Sequence, residues 1–318
     1  MQGSKQASVD LELSFDCEGD FVDYLERNPN VEALSLWFCK GFTALPKLPE
    51  NLRSLSIHNS AIERVRELPK GLRSLVIANC SLRTLPEFPE FLEELRLFNC
   101  PQLGELPGLP SSLTHFQLYS CRQISWLSPR LPSGLEELSV EKCGGLITYF
   151  PTLPRLLTKL CLDQRLAGLP SMPESLKRLS VKSWYEPKLR LLPQGLLSLH
   201  VDSCPVLETI DSLPSLETLS VSRCEKLLRL PVLPHSLWNL DVGACPLSSL
   251  PELPPSLQKL KVIACPIRAL PDLPTSLANL QIIECQNLTR LPPLPRSLTL
   301  LSVIRCPALA TNLTVRIG

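Results

Sequence analysis

Aliphatic and polar residues alternate in short runs along this chain, and most of these runs end in a cysteine. The segment "LQKLKVIAC" at residues 257–265 is representative, because Leu260 and Val262 alternate with Lys259, Lys261 and Ile263. A period of two residues predicts a β-strand whose apolar positions face a core while the intervening positions face solvent. The cysteine that follows such a strand is predicted to face inward as well.

This cysteine marks an internal repeat. Aligned on it, 14 positions recur at spacings of 19–22 residues, and 11 of them are cysteine, while Ser60, Arg165 and Trp184 fill the other three. The cysteines of this column are Cys39, Cys80, Cys100, Cys121, Cys143, Cys204, Cys224, Cys245, Cys265, Cys285 and Cys306. One unit reads P-x-L-P-x-S-L-x-x-L-x-V-x-x-C-x-x-L-x-x-L, which is the pattern of a leucine-rich repeat with cysteine where asparagine often stands.

Prolines occupy the remaining part of each unit, as in "LPELPPS" at residues 250–256. Proline donates no backbone hydrogen bond and fixes φ, so these segments are predicted to be extended or polyproline II. We therefore expect a leucine-rich-repeat solenoid, mainly β, of about 14 repeats of mostly 20–22 residues. Its concave face should be a curved parallel sheet and its convex face extended chain, because units this short must stack to bury their leucines.

The first 30 residues do not follow the repeat. The stretch "VDLELSFD" alternates like a strand, and "DFVDYLERNPN" places Phe21, Val22 and Leu25 at the spacing of a short helix that Asn-Pro would end. A solenoid needs a cap over the open core of its first repeat. We therefore predict an N-terminal cap at residues 1–30 and a leucine-rich-repeat domain at residues 31–318.

Charge and composition exclude several classes of function. Lys and Arg number 32 against 31 Asp and Glu, so no overall field favours nucleic acid or an anionic membrane. No run of apolar residues is long enough for a membrane span. The first residues lack the apolar core of a Sec-type signal peptide. Thirteen cysteines without such a signal favour an intracellular, reducing environment with free thiols.

The cysteine column has several chemical interpretations. A metal site or a nucleophile needs convergent partners, such as paired C-x-x-C motifs or a nearby histidine, and the sequence holds no C-x-x-C. Neighbouring column positions are close enough for disulfides, but such bonds would disturb a packed ladder. The favoured interpretation is structural, with each thiol buried and its S–H directed at a carbonyl of the turn. We predict no catalytic residue, metal or cofactor.

The outward positions of the strands carry the interaction signal. The first third is aromatic, the middle is charged and the last third holds a row of isoleucines, and exposed apolar or aromatic strips on a sheet mark partner sites. β-Branched and aromatic residues also favour strands for structural reasons alone. The candidate partner-binding residues are Trp37, Phe38, His58, Arg96, Phe98, Tyr119, Glu141, Asp163, Lys182, Asp202, Ile263, Ile283 and Ile304.

The stretch "LPELPPSLQKLKVIACPIRALPDLPTSL" at residues 250–277 resembles the repeats of bacterial type III secreted effectors of the YopM and IpaH–SspH kind. The resemblance covers roughly residues 31–309. It implies a secreted bacterial virulence protein that reaches the host cytoplasm by a non-Sec route. IpaH-type members add a ubiquitin-ligase domain with a Cys-x-Asp nucleophile motif. Here the resemblance extends to the repeats alone, and Cys161 and Asp163 match the letters of that motif only within a predicted strand.

These observations predict a protein-interaction scaffold, without enzymatic activity, that binds a protein partner, possibly of the host, on its concave face. One alternative is the substrate-recognition part of an IpaH-type E3 ubiquitin ligase that lacks its catalytic domain. Another rests on "SLLSLHVDSCPVLETI", which is similar to the repeats of plant nucleotide-binding resistance proteins. In that case the chain would be the recognition part of a plant-type immune receptor.

Overall fold

The computed structural model of the protein describes residues 12–124, 130–143, 151–163 and 171–309. The chain divides into two compact units, Met1–Pro154 (the first unit) and Arg155–Gly318 (the second unit). Both are built from turns of a leucine-rich-repeat solenoid, about 14 in all, with nearly no helix, so the predicted fold is confirmed. No helix in the described ranges has the length and apolar character needed to cross a membrane.

Within its described residues, the first unit contains one helix and seven parallel strands that pair in chain order. The helix α1 spans Glu18–Arg27. The strands are β1 (Glu12–Leu13), β2 (Ala33–Trp37), β3 (Ser54–His58), β4 (Ser74–Ala78), β5 (Glu94–Phe98), β6 (His115–Tyr119) and β7 (Glu137–Glu141).

The second unit has eight described five-residue strands, also parallel, and a separate pair of two-residue strands, β10 and β12. The strands are β8 (Lys159–Asp163), β9 (Arg178–Lys182), β10 (Lys188–Leu189), β11 (Ser198–Asp202), β12 (Thr209–Ile210), β13 (Thr218–Ser222), β14 (Asn239–Gly243), β15 (Lys259–Ile263), β16 (Asn279–Ile283) and β17 (Leu300–Ile304). The registers align equivalent residues, so that Val262 lies beside Val242 and Ile282.

Burial follows the predicted alternation. Leu260 and Val262 are buried, whereas Lys259, Lys261 and Ile263 are not. We call the side formed by the first, third and fifth residues of the five-residue strands the strand face of each unit. The other residues of these strands form the leucine ladders that hold neighbouring turns together.

The proline segments bring the chain back to the next strand through a repeated turn. In the turn before β15, the N–H of Leu257 donates to the carbonyl oxygen of Pro254 at 3.0 Å. The serine of the P-x-S-L pattern joins each of these turns to the preceding one. Ser276 Oγ, in the turn before β16, donates to Leu257 O, in the turn before β15, at 2.7 Å. Ser297 repeats the contact with Leu277 at 2.7 Å. The serine is therefore part of the stacking interface.

A left-handed residue follows almost every five-residue strand. Thirteen residues at this position have φ between 47° and 58°, and none of them is glycine. They are Phe38, Asn59, Asn79, Asn99, Ser120, Lys142, Ser183, Ser203, Arg223, Ala244, Ala264, Glu284 and Arg305. The N–H of such a residue donates to the next turn, as Ala264 N does to Ile283 O at 2.8 Å. This bond between turns stabilises a backbone conformation that costs free energy in isolation.

The strand and the helix expected before the repeats are both present. Two short contacts seat them on the first repeat. The rings of Phe21 and Phe42 stack with their centroids 5.7 Å apart. The backbone of Asp16 passes so close to Gly41 that an added Cβ would lie 1.6 Å from the Asp16 carbonyl oxygen. This packing fits a cap, although the domain boundary at residue 30 stays a prediction.

The Gly41 contact generates a stability prediction. Gly41→Ala should lower the free energy of unfolding by about 1–3 kcal/mol or more, because the methyl group collides with backbone that cannot rotate away. Gly104→Ala is the matched control, since no atom lies within 4 Å of the methyl group it would add. Urea unfolding of both variants measures the difference. Equal stability of the two variants would contradict the proposed seating of the cap.

Candidate protein-interaction surface

The column cysteines are internal hydrogen-bond donors. Ten of the eleven are buried, and Cys143 is half-buried. Each sulfur lies 3.3–3.8 Å from the carbonyl oxygen of the residue two positions earlier, as Cys265 Sγ does from Ile263 O. Ser60 makes the same bond at 2.8 Å with its hydroxyl. At the third exception, the larger Trp184 side chain occupies the same position and is also buried. Arg165 lies outside the described residues.

Burial also suppresses the reactivity of Cys265 and Cys285. It raises the pKa of Cys265 and of Cys285 to about 11 each. A thiol with such a pKa stays protonated at neutral pH and is a poor nucleophile. No group of three or more His, Cys, Asp or Glu side chains within the described ranges is arranged to hold a metal ion. The geometry thus favours the structural interpretation of the column.

Alkylation tests this interpretation. Iodoacetamide at pH 8 should label Cys17, which is exposed, while Cys265 and Cys285 stay unmodified until the protein unfolds. At that pH a thiol with a pKa near 11 is ionised to only about one part in a thousand. Mass spectrometry of digested protein locates the label, and in Cys17→Ser the peptide that contains residue 17 should stay unlabelled. Labelling of Cys265 as fast as Cys17 would contradict the buried ladder.

The aromatic part of the first unit's strand face is ordered by local contacts. The Trp37 indole stacks on the His58 imidazole with ring centroids 4.1 Å apart and an interplanar angle of 17°. Trp37 Nε1 donates to Ser35 Oγ at 2.8 Å, which fixes the orientation of the indole. Burial lowers the pKa of His58, with a smaller opposing effect from the charge of Glu12. The imidazole is therefore neutral at pH 7, and both rings are half-buried.

Phe98 and Tyr119 extend the same column on β5 and β6, where they occupy paired register positions. Lys142 Nζ donates to Tyr119 Oη at 2.7 Å and also lies 5.0 Å from the ring centroid. We call Trp37, His58, Phe98 and Tyr119 the aromatic group.

The other three candidates of the first unit surround the aromatic group. Arg96 lies beside Phe98 on the strand face and is ion-paired with Glu94 at 2.5 Å. Glu141 ends β7 and accepts a hydrogen bond from Ser139 Oγ at 3.0 Å. Phe38 lies in the turn after β2, where its ring is 53% exposed. It therefore borders the strand face from the turn.

The charged candidates of the second unit differ in accessibility. Asp163 and Lys182 are half-buried and occupy paired register positions on β8 and β9. Cys161 shares the strand face with Asp163, as predicted. Asp202, by contrast, is only 6% exposed. Its carboxylate accepts hydrogen bonds from Ser222 Oγ and Arg223 Nη2. Asp202 therefore holds the side chains of the following turn in place.

Burial acts to raise the pKa of Asp202, but hydrogen bonds from Ser222 and Arg223, together with the charge of Arg223, outweigh it and hold the pKa below its usual value. The ionised form thus stabilises the fold above the unfolded-state pKa of about 3.9, and this stabilisation is lost as the pH falls through the lower folded-state pKa.

We predict that Asp202→Asn lowers the free energy of unfolding at pH 7 by about 1–3 kcal/mol, because charge-assisted hydrogen bonds are lost. The variant should also lose less stability than the wild type below about pH 4. Asp241→Asn is the control, since Asp241 is more exposed and only approaches Lys261 at 3.9 Å. Chemical unfolding at several pH values measures both effects, and equal losses in the two variants would contradict a structural role of Asp202.

A row of isoleucines lies on the last three strands of the second unit's strand face. Ile263, Ile283 and Ile304 occupy paired register positions on β15, β16 and β17, and we call them the isoleucine stripe. Ile263 and Ile283 are half-buried, and Ile304 is 47% exposed. The preceding strand has Gly243 at this position, so the stripe begins beside a residue without a side chain.

Two exposed features were not anticipated from the sequence. Asn59, Asn79 and Asn99 form a ladder of amides, in which Asn79 Nδ2 donates to Asn59 Oδ1 and Asn99 Nδ2 to Asn79 Oδ1, both at 2.9 Å. Away from the strand face of the second unit, Leu191 and Val232 are 90% and 85% exposed. The asparagines could have been found as a 20-residue repeat one position before the column, whereas the isolated aliphatic residues give no periodic signal.

No model of a protein family matches the chain, and no match was found among curated proteins. Solved structures do match. YopM, described as a leucine-rich effector protein from Yersinia pestis, is 28% identical, with a TM-score of 0.69, over 87% of this chain and 83% of that one. The circular leucine-rich-repeat protein CroV588 is 22% identical, with a TM-score of 0.59, over 86% of this chain and 46% of that one. InlJ of Listeria monocytogenes, whose functional domain is described as including a cysteine ladder, is 17% identical, with a TM-score of 0.52, over 78% and 61% of the two chains.

The two matches below 25% identity show the fold alone. The YopM match goes further, because it combines higher identity with coverage of most of both chains. The YopM match thus supports a relation to bacterial leucine-rich-repeat proteins. A solenoid of this kind typically serves as a binding scaffold rather than as an enzyme.

Proposed function

We propose that this protein is a non-enzymatic scaffold that binds a partner protein through the strand face of its first unit, with the aromatic group at the centre of the contact. The observation that carries the proposal is the Trp37–His58 stack, held half-open to solvent with its indole already oriented by Ser35. Rigid, partly exposed aromatic side chains lose little entropy on binding and dominate the energetics of protein interfaces.

The residues around the aromatic group supply polar contacts at its rim. Arg96 and Glu141 offer opposite charges on the same face, and Phe38 adds an exposed ring at its border. On the second unit, Asp163, Lys182 and the isoleucine stripe extend the set of proposed contacts. Asp202 would act there by holding Arg223 rather than by touching a partner.

We further propose that the scaffold is a bacterial effector that acts in a host cell, which it reaches by a route other than Sec. Two observations support this setting. YopM, the structural match of highest identity among those compared above, is described as an effector. Ten buried free thiols also suit a reducing environment.

Replacement of Trp37, Phe98 and Tyr119 by alanine together should weaken partner binding by about 30-fold or more, since loss of a hot-spot cluster costs at least about 2 kcal/mol. Phe91→Ala is the matched control, because Phe91 is 60% exposed but lies outside the strands. Quantitative mass spectrometry compares the proteins that the immobilised wild type, triple variant and control capture from host-cell lysate.

The proposal expects a defined set of proteins that the wild type and Phe91→Ala retain and the triple variant loses. Thermal unfolding of all three chains establishes that the triple variant is still folded. Equal capture by the folded triple variant would remove the aromatic group from the binding surface.

A further inference from the structure

We propose that the aromatic group of the first unit docks a proline-rich segment of the partner protein in the polyproline II conformation, with a basic residue of that segment against Trp37. The inference rests on the proposed function, because it names the partner chemistry of the same surface. It depends on a gap between the aromatic rings, on the spacing of the strands, on exposed amides beside the rings and on one carboxylate at their end.

The aromatic group is interrupted at Ala78. This residue pairs in register with His58 on one side and with Phe98 on the other, so two rings flank a position that carries only a methyl group. Ala78 is 8% exposed and forms the floor of the gap, which we call the Ala78 slot. The flanking positions are two strand spacings apart, or ~9.6 Å at Cα. Two van der Waals contacts of ~4 Å each take up most of this width, so the slot holds one small ring, such as that of proline.

The spacing of the contact points selects the conformation of the partner segment. The Ala78 slot lies two strands from Trp37 and two strands from Tyr119, so each step along the row is ~9.6 Å. In polyproline II, residues i, i+3 and i+6 share one face at intervals of ~9.3 Å. Same-face residues of an extended strand are ~6.7 Å apart and match neither one strand spacing nor two. A polyproline II segment lying across the strands therefore meets all three points with every third residue.

Exposed donors beside the row favour the same conformation over a helix. Asn79 and Asn99 are exposed, and each uses one amide N–H within the asparagine ladder. An amide carries two N–H groups, so each retains one for a partner. Tyr119 Oη accepts from Lys142, which leaves the phenol hydrogen as a further donor. The carbonyl groups of a helix are bonded internally, whereas those of polyproline II are not, and proline adds no N–H that needs an acceptor.

The charges along most of the row cancel, which favours a segment without net charge there. Arg96 lies beside Phe98 and is ion-paired with Glu94 at 2.5 Å. At the far end of the row, Glu141 is followed directly by Lys142. Neither sign is therefore in excess from the Ala78 slot to Tyr119, and prolines with small uncharged residues between them fit this stretch.

The opposite end of the row carries a single uncompensated charge. Glu12 in β1 is exposed and pairs in register with Ser35, and no residue in the described ranges forms an ion pair with it. His58 covers one face of the Trp37 indole, so the other face is turned toward β1, which lies on the opposite side of β2. A lysine or arginine placed there gains both the ring face and the carboxylate. The fitting segment thus has a basic residue at i and prolines at i+3 and i+6.

Four labelled synthetic peptides test the inference on the full chain. The first has an arginine followed by prolines three and six residues later, with alanine at the other positions. The second has the same composition with the prolines two and four residues after the arginine, the third has glutamate in place of arginine, and the fourth is an amphipathic helix with leucines at i, i+4 and i+7. Fluorescence anisotropy should show that the first peptide binds about fivefold or more tightly than each of the others. Equal or tighter binding of any of the other three overturns the proposal.

Variants of the protein locate the site. Ala78→Leu fills the slot and should weaken binding of the first peptide about tenfold or more. Gly243→Leu adds the same side chain at the same repeat position of the second unit and should leave binding unchanged. Glu12→Lys should reverse the preference between the arginine and glutamate peptides, and this result does not depend on the folding of the Ala78 variant. Unchanged binding in both the Ala78 variant and the Glu12 variant would falsify the assigned surface.

The test also separates this inference from the proposed function. The folded triple alanine variant should lose binding of the first peptide. If no peptide binds while capture from lysate still depends on the aromatic group, the polyproline II inference fails and the proposed function stands. If the folded triple variant captures the same proteins as the wild type, the proposed function fails, whether or not a peptide binds.

Discussion

The carbonyl group at the end of each strand is the point on which the repeat depends. There the chain must leave the strand, turn into the core and stay bonded to its neighbours. The Ile263 carbonyl oxygen accepts the N–H of Ala244 from the preceding turn at 2.8 Å and the S–H of Cys265 from its own turn at 3.3 Å. A carbonyl has two acceptor sites, and this arrangement uses both. The stacking bond and the inward turn are thereby made at the same atom.

The same arrangement separates the positions that are constrained from those that are free to vary. Inward leucines and valines must fit the residues above and below them, and most column positions supply a small donor. The first, third and fifth residues of each strand carry no such requirement, so the chain can change their chemistry from one repeat to the next. It does so here from aromatic residues in the first unit to isoleucines in the second, with opposite net charges in the two units.

The sequence was sufficient for the features that follow from periodicity. Alternation of apolar and polar residues predicted that Leu260 and Val262 are buried. The proline content predicted that the segments between the strands are not helical. The spacing of Phe21 and Leu25 predicted the helix α1. The left-handed position could not be predicted, because residues as different as Phe38, Lys142 and Glu284 occupy it. Their conformation is imposed by the bond to the next turn rather than by their own preferences.

The candidate surface was predictable in outline but not in detail. Register follows from the repeat, so the aromatic group and the isoleucine stripe could be assembled from the sequence alone. Accessibility could not, because it depends on which neighbours a side chain bonds. Asp202 and Asp163 occupy the same repeat position, yet only Asp202 is enclosed by a serine and an arginine from the following turn. Two aspartates that are alike in sequence thus have different roles.

The cysteine column also links the fold to its chemical environment. Stacked turns place neighbouring column residues ~4.8 Å apart at Cα, a separation that disulfides tolerate. A disulfide would remove two S–H donors from the strand-end carbonyls and rotate both side chains within a packed ladder. Burial opposes this reaction, because it keeps thiols such as Cys265 and Cys285 protonated. The packing that makes these two thiols useful as donors therefore also disfavours their oxidation, as long as the ladder stays closed.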